Sequence, residues 1–269
     1  MIYTNFVRVI VAVVVLSLFL SCGVNSVIRS IILNDQEEIK LGNNLKAQIL
    51  ADTVNYPRYT RSAEVIKYID SVGKVIAKAQ NDRDTLPFTF TVIGADTVIN
   101  AFSIPGGHVF VYTGLLKSAS NGAEVAGVIA HEVAHITKYH GADRLATGSV
   151  VNLVNQILFG DSSSVVGAAA QIVEGLAFLK LSRDDEYQAD SCAVAYTTAA
   201  SINPRGMASF LDFLLQKYGS AGIFEPLSDH PDTKERIAKV DTVITHTPNV
   251  PLDTAKSFTS EYLTIKSKI

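Results

Sequence analysis

The stretch that decides the fold is Ala123-Glu124-Val125-Ala126-Gly127-Val128-Ile129-Ala130-His131-Glu132-Val133-Ala134-His135-Ile136-Thr137-Lys138-Tyr139. Its apolar spacing predicts a helix over this whole range, closed by Gly141 as a C-terminal cap. Two histidines four residues apart stand one above the other on the same helix face, so both imidazoles can converge on one ion. Glu132, beside the first, reaches the same place without itself being a ligand. Val125, Val128, Ile129, Val133, Ala134 and Ile136 make the helix largely apolar. Buried imidazoles and a buried carboxylate need partners there, and a metal ion supplies them. Two surface histidines on an amphipathic helix are the competing reading, and the apolar context argues against it.

A catalytic zinc takes three protein ligands and keeps one position open. No third histidine follows at short spacing. The better candidate is Glu186 in Ser182-Arg183-Asp184-Asp185-Glu186-Tyr187-Gln188-Ala189-Asp190. Glu186 and Asp190 share a helix face and lead into Ser191-Cys192-Ala193-Val194-Ala195, where unpaired carboxylates would be costly. Asp190 is then placed to accept a hydrogen bond from a ligand imidazole. Asp184 and Asp185 read as a solvated helix start favoured by the macrodipole.

Working outward, Asn34 with Glu37 forms a capping box for a helix running through Ile49, and a second helix covers Ala63 to Gln80. Periodicity then becomes two over Phe88 to Val92. Val98 to Ile104 and His108 to Tyr112 read as two further strands joined by Pro105-Gly106-Gly107, which predicts a small antiparallel sheet. His108 reads as an exposed strand position. His140 lies near a helix end and is given no part in the chemistry. Gly148 to Lys180 reads as two apolar helices or as a helix and a mobile loop, and Gly148 to Leu181 as a lid or core pair in preference to a membrane-contacting element, since neither half reaches spanning length. Asp184 to Thr197, Pro204 to Tyr218 and a short segment from Pro231 are helical. The fold class expected is α+β, mainly helical, with the His-Glu-x-x-His helix at its centre.

The 269 residues, 48% apolar and with net charge −3, allow one large domain or two small ones. No basic run or face accompanies them, which argues against nucleic acid as a partner. Val9 to Leu20 is an almost wholly apolar run after Arg8, the length of a signal-peptide core and short for a span. Phe19-Leu20-Ser21-Cys22-Gly23 resembles a bacterial lipoprotein signal, although Phe19 stands where leucine is usual. That makes Cys22 a lipid-bearing N-terminus, against the alternative of an uncleaved anchor extending to Leu33. With Cys22 lipidated, Cys192 is left without a disulfide partner, a small apolar core residue.

Four blocks together resemble the zinc endopeptidases that include HtpX, the CAAX-prenyl endopeptidase, BepA and LoiP. They are Asn100 to Leu116, His131 to His140, Ser182 to Asp190, and Ser228-Asp229-His230-Pro231. The resemblance runs from about Asp35 to Val240. It implies a zincin-like metallopeptidase domain with one Zn²⁺ per chain, held by His131, His135 and Glu186. It also implies Glu132 as general base and Asp190 orienting a ligand histidine. Asn100, Ala101 and Phe102 look like a substrate-binding edge strand that pairs with an extended peptide. His230 looks like a residue beside the open position, with helix capping ahead of Pro231 as the plainer alternative. Asp229 departs from the small residue usual before it. Arg236 stands open between pairing with a carboxylate of the site and a surface role.

The organisation expected is a signal peptide over 1–21, a tether over 22–33, the peptidase domain over 34–245 and a C-terminal extension over 246–269. The compact, lipid-anchored branch near LoiP is the nearest fit. It implies a bacterial envelope location facing the periplasm, with unfolded or misassembled envelope proteins as substrates. A zinc-stabilised chaperone or scaffold is the alternative function. Retention of Glu132 favours the enzyme, because a structural zinc site needs no general base.

Overall fold

The computed structural model describes residues 33–146, 150–175, 181–219, 233–247 and 256–269. Cys22 and His230 lie outside them. Among the described residues the fold is α+β and mainly helical. It begins with α1 (Asp35–Ala51) and α2 (Ala63–Ala79), followed by β1 (Thr89–Ile93), β2 (Ala101–Ile104) and β3 (His108–Tyr112). Then come α3 (Thr113–Ser118), α4 (Gly122–Thr137), α5 (His140–Ala146), α6 (Val151–Phe159) and α7 (Ser162–Gly175). The chain continues with α8 (Arg183–Ala199), α9 (Gly206–Tyr218), α10 (Thr233–His246) and α11 (Thr259–Lys266).

The capping box at the start of α1 forms: the Asn34 side chain accepts from Gln36 and Glu37 backbone N–H groups, and the Glu37 carboxylate accepts from Asn34 N. The sheet is mixed, not wholly antiparallel. Its order is β1-β3-β2, with β2 antiparallel to β3 and β1 parallel to it. Alternating burial identifies a strand but says nothing of its direction, so β1 was legible as a neighbour and not as a parallel one. β3 is central and buried along its length. The hairpin turn needs Gly106 at φ +86, and its N–H donates to the buried Glu38 carboxylate on α1 at 3.1 Å.

Every residue of α4 is buried. Helices α2, α8, α9 and α11 and strand β2 all pack on it. At Gly127 a Cβ would come within 2.3 Å of Met207 N on α9, so only glycine allows that approach. The helix ends earlier than expected, at the C-cap Lys138, with Tyr139 left-handed at φ +65, and Gly141 falls inside α5. Tertiary contacts offset that backbone cost. The Arg83 guanidinium lies 3.9 Å from the Tyr139 ring centroid and its Nη1 donates to Ile136 O at 3.1 Å. Arg83 is itself held by Glu38 and Asp35.

Helices α6 and α7 form the expected apolar pair. With α1 and α5 they build a second core from Leu41, Leu45, Leu145, Ile157 and Ile172. Among the described residues no helix is long and apolar enough to cross a membrane. The C-terminal segment, expected as an extension, is part of the main core where it is described. Tyr262 is fully buried and its hydroxyl donates to Leu116 O, while Ala123 N donates to Ser257 O at 3.1 Å. Phe258, Ile265 and Ile269 pack beside Tyr262, a few apolar residues inside a polar segment that composition averages away.

His108 is buried, not exposed: its Nδ1 lies 2.8 Å from Thr89 Oγ1, and its Nε2 has no hydrogen-bond partner among the described residues. Burial, and then the nearby Lys46 cation, push its pKa down to about 4. The folded chain therefore keeps His108 neutral while the unfolded chain takes up a proton below about 6.5. Stability from this group is full above that pH and falls as pH drops towards 4, by about 2–3 kcal/mol in total. Urea midpoints between pH 7 and 4.5 should show a flatter pH dependence for His108→Gln than for the wild type. Parallel profiles would contradict the assignment.

Candidate metal centre

Helix α4 brings His131 and His135 together on its inner face, with ring centroids 4.5 Å apart at 88° and Nε2 atoms 2.9 Å apart. Helix α8 supplies Glu186. A capping box between Ser182 and Asp185 turns the first acidic residues outward, and Glu186 points in. Its Oε2 lies 3.4 Å from His131 Nε2 and its Oε1 3.6 Å from His135 Nε2. Tetrahedral coordination at about 2.0–2.1 Å per bond sets ligand atoms about 3.3 Å apart. The three observed separations, 2.9, 3.4 and 3.6 Å, bracket that spacing, so the donor set fits one zinc-sized ion. All three side chains are buried.

The charge balance makes the same point independently. Glu132, Glu186 and Asp190 are buried carboxylates around the cluster. Against them stands Arg236 from α10, only 1% exposed. Its Nε and Nη2 donate to the two Asp190 oxygens at 2.8 Å each, and its Nη1 lies 3.1 Å from Glu186 Oε2. Of the two readings for Arg236, pairing with the site carboxylates is the one realised. Among the described residues one guanidinium thus faces three carboxylates, an acidic surrounding that favours a cation at the cluster. Burial alone would raise the Asp190 pKa, but Arg236 outweighs it and holds the carboxyl at about 2. For His131, burial and Arg236 disfavour the charged ring, yet the Asp190 and Glu186 carboxylates prevail and raise its pKa to about 9.

Asp190 Oδ1 also lies 2.9 Å from His131 Nδ1. An acceptor on Nδ1 keeps the proton on that nitrogen and leaves the Nε2 lone pair facing the cluster. Glu132, one residue after His131, accepts a hydrogen bond from Ser103 Oγ at 2.9 Å. Ser103 lies on β2, so Glu132 and the strand are directly coupled. A cleft of about 170 Å³ opens beside Glu132 and His135, lined by Asn100, Phe102, Tyr112, Ile136 and Leu145 among others.

The expected substrate residues thus sit at the site. β2 is an edge strand with one side on β3. Tyr112 N donates to Asn100 O, and Ala101 and Ser103 stand opposite Val111 and Val109. Antiparallel pairs alternate between bonded and non-bonded. The main-chain groups of Ala101 and Ser103 therefore point away from β3, Ala101 buried and Ser103 partly exposed, while those of Asn100 and Phe102 face β3. Two residues escaped the sequence reading. Ser103 gave no signal inside a strand. His140 follows a helix break, yet its Nδ1 lies 2.8 Å from His135 Nδ1.

A model of peptidase family M48 matches residues 64–244. The chain belongs to peptidase family M48. The matched residues are a peptidase domain of the metalloendopeptidase class, as the four sequence blocks implied. The beta-barrel assembly-enhancing protease of Escherichia coli (strain K12) is 30% identical over 216 residues, covering 75% of this chain and 42% of that protein. The mitochondrial metalloendopeptidase OMA1 of Arabidopsis thaliana is 32% identical over 143 residues, covering 52% of this chain and 28% of that protein. The M48 chain spans less than half the length of these curated relatives.

Proposed function

We propose that this M48 chain is a zinc-dependent endopeptidase that cuts extended segments of unfolded or misassembled bacterial envelope proteins. The observation that carries the proposal is a buried carboxylate, Glu132, held by Ser103 of the edge strand β2 beside a His-His-Glu donor set. His131, His135 and Glu186 would hold one zinc ion per chain. Bound zinc supplies Lewis acidity that polarises a carbonyl and acidifies water.

The protein's own residues do the rest. The outer edge of β2, at Asn100 to Ser103, pairs with the substrate main chain by strand addition, which reads backbone more than sequence and suits unfolded chains. Phe102 and Asn100 flank the bound segment at the cleft. Glu132 accepts the proton of the attacking water and returns it to the leaving amine. Asp190 holds His131 in the ligand tautomer, and Arg236 neutralises the carboxylates of Asp190 and Glu186. His230 is assigned to the neighbourhood of the open position, stabilising the oxyanion or controlling access. Cys22 is assigned as a lipid tether in an exported protein facing the periplasm, with residues 1–21 removed. The name of the Escherichia coli relative supports an envelope setting.

Casein incubated with the full chain should be cut, should be spared after exhaustive chelation, and should be cut again when zinc is restored to one equivalent. Casein held in solution but left intact in the zinc-loaded sample would favour the chaperone alternative instead.

A further inference from the structure

His140 opens α5, just past the left-handed Tyr139, and is 5% exposed. Its Nε2 faces two oxygens of α8, Gln188 Oε1 at 2.8 Å and Asp185 Oδ1 at 3.7 Å. Its Nδ1 faces His135 Nδ1 at 2.8 Å. A neutral imidazole carries one N–H and one lone pair. Oxygen acceptors on Nε2 put the hydrogen there, so His140 Nδ1 presents its lone pair to His135. Two nitrogens at 2.8 Å share one hydrogen, which must then reside on His135 Nδ1. That leaves the lone pair of His135 on Nε2, the atom 2.9 Å from His131 Nε2 and 3.6 Å from Glu186 Oε1.

The reverse arrangement fails. A hydrogen on His140 Nδ1 would force the His135 hydrogen onto Nε2, where a metal ion needs the lone pair. The Gln188 amide is subject to the same logic: turned over, it would present its NH₂ to His140 Nε2 and favour the wrong tautomer. Asp185, which can only accept when ionised, biases His140 the right way. His131 reaches its ligand tautomer through a carboxylate, Asp190. His135 reaches it through the ring nitrogen of another histidine, a side chain that brings no negative charge beside three buried carboxylates.

We infer that His140 is a positioning residue that fixes the tautomer and ring orientation of His135, with Gln188 and Asp185 fixing His140 in turn. The inference rests on His135 being a metal ligand.

The test is zinc affinity by chelator competition for the wild type, His135→Ala, His140→Leu and His140→Asn, together with nitrogen-15 histidine NMR of the zinc-loaded wild type. His140→Leu removes the acceptor and should weaken zinc binding by about 10–100-fold. His140→Asn keeps an acceptor oxygen near the Nδ1 position and should recover affinity to within about threefold of wild type, a rescue that packing alone would not produce. Thermal melts of the metal-free variants check that each is folded. The NMR spectra should show His135 protonated on Nδ1 and His140 on Nε2, and they depend on no substitution. Equal affinities for His140→Leu and wild type, equal weakening in both His140 variants, or a hydrogen on His140 Nδ1 would overturn the inference while leaving the ligand set intact. Undiminished affinity in His135→Ala would overturn the ligand assignment and the inference with it.

Discussion

Replacing Glu132 with glutamine should lower kcat/KM for peptide cleavage by about 10²–10⁴-fold while zinc content stays at the wild-type level. Glutamine has nearly the shape of glutamate and can still accept the Ser103 hydrogen bond, so packing around a side chain only 3% exposed is preserved. What disappears is the ability to take a proton. The loss should therefore fall on kcat and leave KM nearly unchanged, since the edge strand proposed to bind substrate is untouched. In free-energy terms the effect is about 3–5 kcal/mol on the barrier. Steady-state cleavage of a quenched fluorescent peptide, with metal content measured on the same samples, checks it. Retention of more than about a tenth of wild-type kcat would remove Glu132 from the role of general base.

The second large effect belongs to Arg236. Its guanidinium is buried against Asp190 and Glu186 and forms a bidentate pair with the first. Arg236→Leu strips the cation and leaves both carboxylates in a dry interior, a change that typically costs about 3–5 kcal/mol. Zinc carries two positive charges into the same cluster, so the loss should be largest in metal-free protein and smaller after loading. Arg236→Lys keeps the charge but not the planar fork, and should recover only part of the stability. Urea denaturation with chelator and with excess zinc measures all of this. A midpoint for metal-free Arg236→Leu indistinguishable from wild type would show that the guanidinium does not balance the buried carboxylates.

Local geometry explains what could be read from the chain. His131, Glu132 and His135 share one helical turn, and the i, i+4 rule alone places them together. Glu186 and Asp190 were recognisable because carboxylates heading into Cys192-Ala193-Val194-Ala195 need buried partners. Contacts between distant segments were less accessible. Arg236 meets Asp190 across 46 residues of sequence, and nothing in the pattern of α10 separates that position from a solvated one. His140 depends on a helix break at Tyr139, which Arg83 stabilises from yet another part of the chain. The parallel pairing of β1 and the docking of Tyr262 are likewise products of tertiary packing. Period-two alternation has no direction, and a few apolar residues spaced along a polar segment do not change its composition.

The central claim is that His131, His135 and Glu186 hold one zinc ion. Zinc content after equilibrium dialysis against a weak chelator tests it most directly. The wild type and Glu132→Gln should each retain one zinc per chain, while His135→Ala and Glu186→Ala should retain little. Full retention by Glu186→Ala, or none by the wild type, would contradict it.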